Sequence, residues 1–476
     1  MKIDFLRLIL LSFVFTLLEL ASTSQPCLAQ KDLRSTLTAI DRYVQKPDDT
    51  YAWSIVGSTE HNGSKIFILD LKSQTWRTKE EVNRTVWQHW LKVIVPDEVK
   101  SDVALMMVGG GRNGGNPPNS VNPMVMRVAT ATKTIVAEIG MIPNQPLIFH
   151  NDGKQRVEDD LIAYTWDQFI KTGDETWPAR LPMVKSVVRG MDAVQELIGE
   201  HFPDSPVNNF VVAGGSKRGW TTWMTAAVDK RVSAIMPIVI DVLNTKVSMD
   251  HHYAAYGFWA PAVGDYVHHK ITHRRNWPEY ESLLQIEDPY YYRDRFDMPK
   301  CIINSAGDQF FLPDSSQFYF DDLIGEKHLC YVPNSDHSLD GSNALDTLLA
   351  FHFCIAHKIR RPAISWEFQN GNQISLNTTD KPKKVVLWQA TNPDARDFRM
   401  AKIGKAYSAT ELSGDSKFVA TVSKPEKGWT AFFIQAEFDV GAPTPLRLTT
   451  PVRVYPNTLP FAGSKAPEME RPAEKK

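Results

Sequence analysis

Between about residues 50 and 360, short apolar runs alternate with longer stretches whose apolar residues recur three and four positions apart. Nine runs have the length and composition of strands: "YAWSIVGS", "SKIFILDL", "HWLKVIVP", "VALMMVGGG", "TIVAEIG", "NNFVVAGG", "VSAIMPIVID", "PKCIINSAGD" and "KHLCYVPNSDH". Between several of them lie helical patterns, among them "RLPMVKSVVRGMDAVQELIGEHF" and "NALDTLLAFHFCIAHKI", each with one continuous apolar face. This alternation predicts an α/β domain over residues 30–361, a mostly parallel sheet flanked by helices.

Two regions break the rhythm. Residues 242–298 are long, aromatic and rich in His and Tyr, which predicts a helical insertion. Beyond "RRPAISWEF" the helical period disappears, and short alternating runs separated by Asn, Asp, Gly and Pro clusters predict a β-rich, sandwich-like domain over residues 362–460. Residues 461–476 are polar and proline-containing, the composition of a disordered tail.

Composition narrows the function classes. The 476 residues are 43% hydrophobic, enough for a full core, and 53 basic against 55 acidic residues leave a net charge of −2. Such a balance gives no electrostatic footprint for nucleic acid or an anionic membrane. Lys2 and Arg7 precede an apolar run from Leu8 to Leu18, followed by small and polar residues. This is the pattern of a signal peptide over residues 1–29, cut after Ala29, and it predicts a secreted or periplasmic protein with no membrane span after cleavage. Loss of Cys27 with the signal would leave Cys301, Cys330 and Cys354, an odd number set in apolar runs. They read as small buried hydrophobes and not as a disulfide framework.

The chemistry centres on "VVAGGSKRGW", residues 211–220, where Ser216 follows an apolar run and precedes a helical pattern. A nucleophile held on a strand-to-helix turn needs small residues around it, so that strand and helix can approach. Gly214 and Gly215 supply them, but Arg218 stands where G-x-S-x-G would place its second glycine, and Gly219 follows one position late. A serine also needs a base and a group that orients the base. His337, in the loop after "KHLCYVPNSDH", and Asp308, after "PKCIINSAGD", sit just past strand ends and follow the serine in the order Ser, acid, His. Asp241, after "IMPIVID", is the competing acid. For the oxyanion the candidate donors are the backbone N–H of Lys217 and of Gly110 and Gly111, in the loop "GGGRNGG". That loop lacks the ending of a phosphate-binding loop, so no nucleotide is expected. The pairs His251-His252 and His268-His269 have no metal-ligand spacing and read as surface or lid residues. No cofactor or metal is called for.

These residues resemble the PhoPQ-activated pathogenicity-related family. The resemblance is carried by "SQTWRTKEEVNRTVWQHWLKVIVP", "VALMMVGGGRNG", "FVVAGGSKRGWTTW", "INSAGDQFFLPDSS" and "PNSDHSLDGS". The family is similar to α/β-hydrolases, and the resemblance implies that Ser216, Asp308 and His337 occupy the triad positions. The serine motif also resembles that of glucuronoyl esterases. Two functions follow. One is a secreted serine hydrolase that cleaves an ester or amide of a small molecule or peptide through an acyl-enzyme. The other is a non-catalytic signalling or binding factor on a hydrolase scaffold, with the C-terminal β domain contacting a protein partner.

Overall fold

The computed structural model describes residues 37–472. The signal peptide expected at residues 1–29, its cleavage site and Cys27 lie outside the described residues.

All nine expected strands form, in one sheet. β1 (Ala52–His61), β2 (Ser64–Thr75) and β3 (Val86–Val95) make an antiparallel meander. β4 (Val103–Val108), β5 (Val136–Ile139), β6 (Asn209–Gly215), β7 (Val232–Ile238), β8 (Lys300–Ser305) and β9 (Lys327–Val332) run parallel to one another. Their spatial order is β1-β2-β3-β5-β4-β6-β7-β8-β9. The parallel strands are covered on both faces, which is why they read as unbroken apolar runs. In β4, Ala104, Met106 and Val108 face one core while Val103 and Leu105 face the other.

Helices fill both sides. α1 (Ala39–Gln45), α3 (Glu158–Thr172), α4 (Arg180–His201) and α5 (Lys217–Val228) pack on one face. α2 (Pro123–Thr132) and α9 (Ala344–Ala356) cover the other. The expected insertion between β7 and β8 is helical, built from α6 (Thr245–Tyr256), α7 (Gly264–His268), α8 (Pro278–Glu287) and short 3-10 turns. It stands over the C-terminal end of the sheet, where Ser216 emerges.

The C-terminal strands divide between two sheets. β10 (Ile364–Gln369), β11 (Gln373–Thr378) and β14 (Lys417–Thr421) form a separate antiparallel sheet. β12 (Lys384–Asn392), β13 (Ser408–Glu411), β15 (Trp429–Phe438), β16 (Leu446–Thr449) and β17 (Arg453–Tyr455) instead extend the large sheet, because β16 pairs with β9. The Thr449 hydroxyl accepts from the Tyr331 N–H at 3.0 Å at that seam. The connection from β12 to β13 carries the short α10 (Met400–Ile403) and reaches back to the ends of β8 and β9.

The segment from residue 461, read as disordered from its composition, lies along the helical insertion as far as Pro472. Phe461 N–H donates to the Ala254 carbonyl and Met469 N–H to the His273 carbonyl, each at 2.9 Å. Glu468 pairs with Arg275 at 3.2 Å. Its polar groups thus find fixed partners, which composition alone does not reveal. Cys301, Cys330 and Cys354 are free and buried.

Candidate active site

Ser216 occupies the single position between β6 and α5, with φ 59° and ψ −129°. A non-glycine residue adopts this conformation only when its surroundings hold it there. Ser216 N–H donates to the Ile238 carbonyl on β7 at 2.8 Å, and the Ser216 carbonyl accepts from Trp220 N–H at 3.0 Å. The turn is tight. A Cβ on Gly214 would stand 2.8 Å from the Arg218 carbonyl oxygen, and one on Gly219 2.9 Å from that of Ile238. Gly215 faces open space apart from a distant Val239 methyl. The delayed glycine is therefore the one the close approach of α5 requires.

Past the end of β8, Asp308 accepts a hydrogen bond from His337 Nδ1 at 2.8 Å. Its other oxygen accepts from Phe310 N–H at 2.7 Å, and Gln309 Oε1 accepts from His337 N–H at 3.1 Å. Both ends of the pair are thus fixed. His337 Nε2 is buried and has no hydrogen-bond partner among the described residues. The Phe310 ring lies 4.4 Å from the imidazole centroid and that of Phe311 6.1 Å away. Both phenylalanines line the cavity that Ser216 also lines.

Asp241, the competing acid, is turned to other partners. It accepts from Tyr319 Oη at 2.7 Å and Tyr331 Oη at 2.6 Å. Burial pushes its carboxyl up to about 7, against the lowering effect of the two phenols.

The oxyanion candidates separate. Lys217 borders the cavity; Gly110 and Gly111 are not among the residues that line it. Instead the Gly110 carbonyl accepts from Met141 N–H at 2.8 Å, and a Cβ on Gly110 would stand 2.7 Å from the Arg218 guanidinium. Gly111 takes φ 129°, which only glycine adopts readily.

The basic residues after the serine have a structural task. Arg218 makes two parallel bonds to Glu158, at 2.8 and 2.7 Å, and Lys217 Nζ reaches Glu158 at 2.8 Å and Asp159 at 3.3 Å. Burial works to raise the Glu158 carboxyl, but the Arg218 and Lys217 contacts outweigh it and bring it to about 2. Arg180 donates to the Lys217 carbonyl at 2.6 Å. These contacts tie the first turn of α5 to the start of α3. The signal for them was the acidic cluster "VEDDLIAYTWDQF" at the head of an amphipathic stretch. Nothing in its spacing announced that it would meet the Lys-Arg pair.

A second support comes from the β12–β13 connection. Met400 N–H donates to the Gly307 carbonyl at 2.9 Å and Tyr407 Oη to that of Ala306 at 3.2 Å, beside Asp308. Asn334, in the histidine loop, exchanges two bonds with the Tyr407 backbone, at 2.8 and 2.9 Å. Below them Arg396 pairs with Asp314 at 2.6 Å, and His251 with the same carboxylate at 3.1 Å. Burial acts to raise Asp314, yet Arg396 and His251 hold it far below the usual carboxylate range.

The paired histidines go to separate partners. His269 bonds Asp160 at 2.6 Å, and His252 Nε2 accepts from Ala260 N–H at 3.0 Å. His252 is 2% exposed, so the surface reading fails for it: the insertion packs around its ring. Among the described residues no three His, Cys, Asp or Glu side chains group as a metal site.

The strand order from β2 to β9, the serine on a strained turn between β6 and α5, and the acid and histidine at the ends of β8 and β9 define an α/β-hydrolase fold. The chain belongs to the family described as PhoPQ-activated pathogenicity-related protein, which matches residues 40–399. It is 40% identical to autocrine proliferation repressor protein A of Dictyostelium discoideum, over 89% of this chain and 92% of that protein. Among solved structures it is similar to acetyl xylan esterase 1 from Thermoanaerobacterium sp. JW/SL YS485, with TM-score 0.45 and 14% identity over 67% of this chain and 92% of that one. It is also similar to the Pyrococcus horikoshii acylaminoacyl peptidase, with TM-score 0.38 and 12% identity over 63% of this chain and 48% of that one.

Proposed function

We propose that the protein is a secreted serine hydrolase that cleaves an ester or amide through a Ser216-His337-Asp308 triad. The observation that carries the reading is the fixed Asp308–His337 pair, whose unpartnered Nε2 belongs to a ring packed against Phe310 and Phe311, the two residues that line the cavity together with the strained Ser216.

In this reading Ser216 Oγ attacks the substrate carbonyl while His337 Nε2 takes its proton. Asp308 holds the tautomer with hydrogen on Nδ1 and stabilises the imidazolium that forms. Negative charge develops on the carbonyl oxygen, for which Lys217 N–H is the candidate donor that borders the cavity, while Gly110 and Gly111 stand outside its lining. Collapse of the tetrahedral species passes the proton from His337 to the leaving group and leaves an acyl-Ser216. Water, deprotonated by the same imidazole, then releases the acid. No cofactor is needed for any step.

A second reading, a non-catalytic factor that acts through a protein partner on the C-terminal strands, draws support from the repressor name of the amoebal relative. A screen over peptide, acetyl-ester and uronate-ester substrates separates the two. Turnover by the wild type and none by Ser216→Ala supports the hydrolase, and no turnover of any of them by either protein favours the factor.

A further inference from the structure

The cavity at Ser216 measures about 70 Å³, room for a few waters or a short chain, and its walls are largely aromatic and aliphatic. Five charged residues border it: Asp159, Arg180, Lys217, Lys246 and Arg275. Four of them are neutralised within the protein. Arg180 pairs with Glu287 at 3.2 Å, both fully buried. Lys217 and Asp159 pair with each other at 3.3 Å, and Lys217 also with Glu158. Arg275 holds Asp250 at 3.0 Å and Glu468 at 3.2 Å.

Lys246 is different. It lies in the first turn of α6, is half-buried, and has no ion pair or hydrogen bond among the described residues. The acid one turn further along its own helix, Asp250, is already taken by Arg275. Lys246 thus borders the apolar cavity with its neighbouring charges matched elsewhere, and its Nζ, which is not among the buried nitrogens left without a partner, stays open to an incoming anion.

We propose that Lys246 is a specificity residue that pairs with a carboxylate on the substrate, so that the site takes esters or amides bearing a negative charge close to the scissile carbonyl. This rests on the hydrolase reading only for the word substrate; the anion preference is a property of the cavity. Ser216 and Lys246 border the same cavity, so one bound molecule would present its scissile carbonyl and its charge to both. The other use of such a lysine is to lay its stem along the wall and extend its ammonium into water, which gives no preference for charge.

The test compares monomethyl succinate with its uncharged counterpart, methyl succinamate, on the full chain carrying Ser216→Ala. Binding is read by the fluorescence of Trp166, Trp220 and Trp259, which line the cavity. The charged ester is expected to bind about tenfold more tightly, as one charge-assisted hydrogen bond in a partly buried site allows. Lys246→Met should remove the difference and Lys246→Arg should keep it. In the wild type, 4-nitrophenyl hemisuccinate and the matching succinamate ester should differ in KM and not in kcat. Equal binding of the two esters, or a preference that survives Lys246→Met, overturns the proposal. Failure of a fluorophosphonate to label the wild type, with the binding preference intact, would sink the hydrolase reading and leave this one standing.

Discussion

A Cβ atom on Gly219 would stand 2.8 Å from the carbonyl oxygen of Gly214. That contact fixes how closely α5 approaches the end of β6, and it explains why the second glycine of the serine motif falls at 219 and not at 218. Gly219→Ala should therefore cost about 1–3 kcal/mol by overpacking against backbone that cannot retreat. Gly215→Ala, facing open space, should change stability little. Denaturant midpoints of the two variants check this, and similar midpoints would mean that the turn relaxes more freely than its geometry indicates.

The acid is tested by a pair of variants. Asp308 bonds His337 Nδ1, while Asp241 accepts from the two tyrosines. Asp308→Asn should lower kcat by about 10⁴ with folding intact, because asparagine selects the wrong imidazole tautomer. Asp241→Asn should lower it far less. The reverse ranking would reassign the acid.

Asp241 carries a pH signature of its own. Its carboxyl titrates near 7 when folded, raised by burial from the ordinary value of 3.8. Between those values the folded chain keeps a proton that the unfolded chain has lost, so this group's contribution to stability falls as pH rises and levels off above about 7. Asp241→Asn removes the titration. The melting temperature of that variant relative to wild type should rise from pH 5 to pH 8, and a difference that stays flat would contradict the buried, protonatable carboxyl.

Arg396 comes from the connection between the C-terminal strands β12 and β13 yet supports the α/β part of the chain. It is 1% exposed and pairs with Asp314, itself 3% exposed. Arg396→Ala should destabilise the whole protein by about 3–5 kcal/mol, because it leaves a buried carboxylate without its guanidinium, facing only His251 and the Gln317 amide among the described residues. Calorimetry should then show one transition shifted down. A separate transition for residues 362–460, with the rest unmoved, would mean that the two parts are not coupled through this pair.

What was legible in the sequence follows from burial. The parallel strands β4 to β9 are covered on both faces, so each wrote itself as an apolar run, and Ser216, Asp308 and His337 were visible as polar residues at the ends of three of them. β13 was not legible, since "SATE" is exposed at all four positions, nor was β11, whose "QISLNT" mixes polar residues throughout. The supports of the site were also hidden. Arg218 meets Glu158 across 60 residues, and Tyr407 meets Ala306 across 101, and pairings of that range leave no local pattern. The same holds for the tail, whose partners Ala254, His273 and Arg275 lie in the insertion.

The central claim is that Ser216 is a nucleophile activated by His337, and fluorophosphonate labelling tests it most directly, because the reagent needs a hydroxyl whose proton a base can take. Folded wild-type protein should be labelled at Ser216, with the adduct located by peptide mass. Ser216→Ala and His337→Ala should both take none, while the melting temperature of the serine variant moves little. Folded wild-type protein that takes no label, or label that persists in Ser216→Ala, would contradict the account.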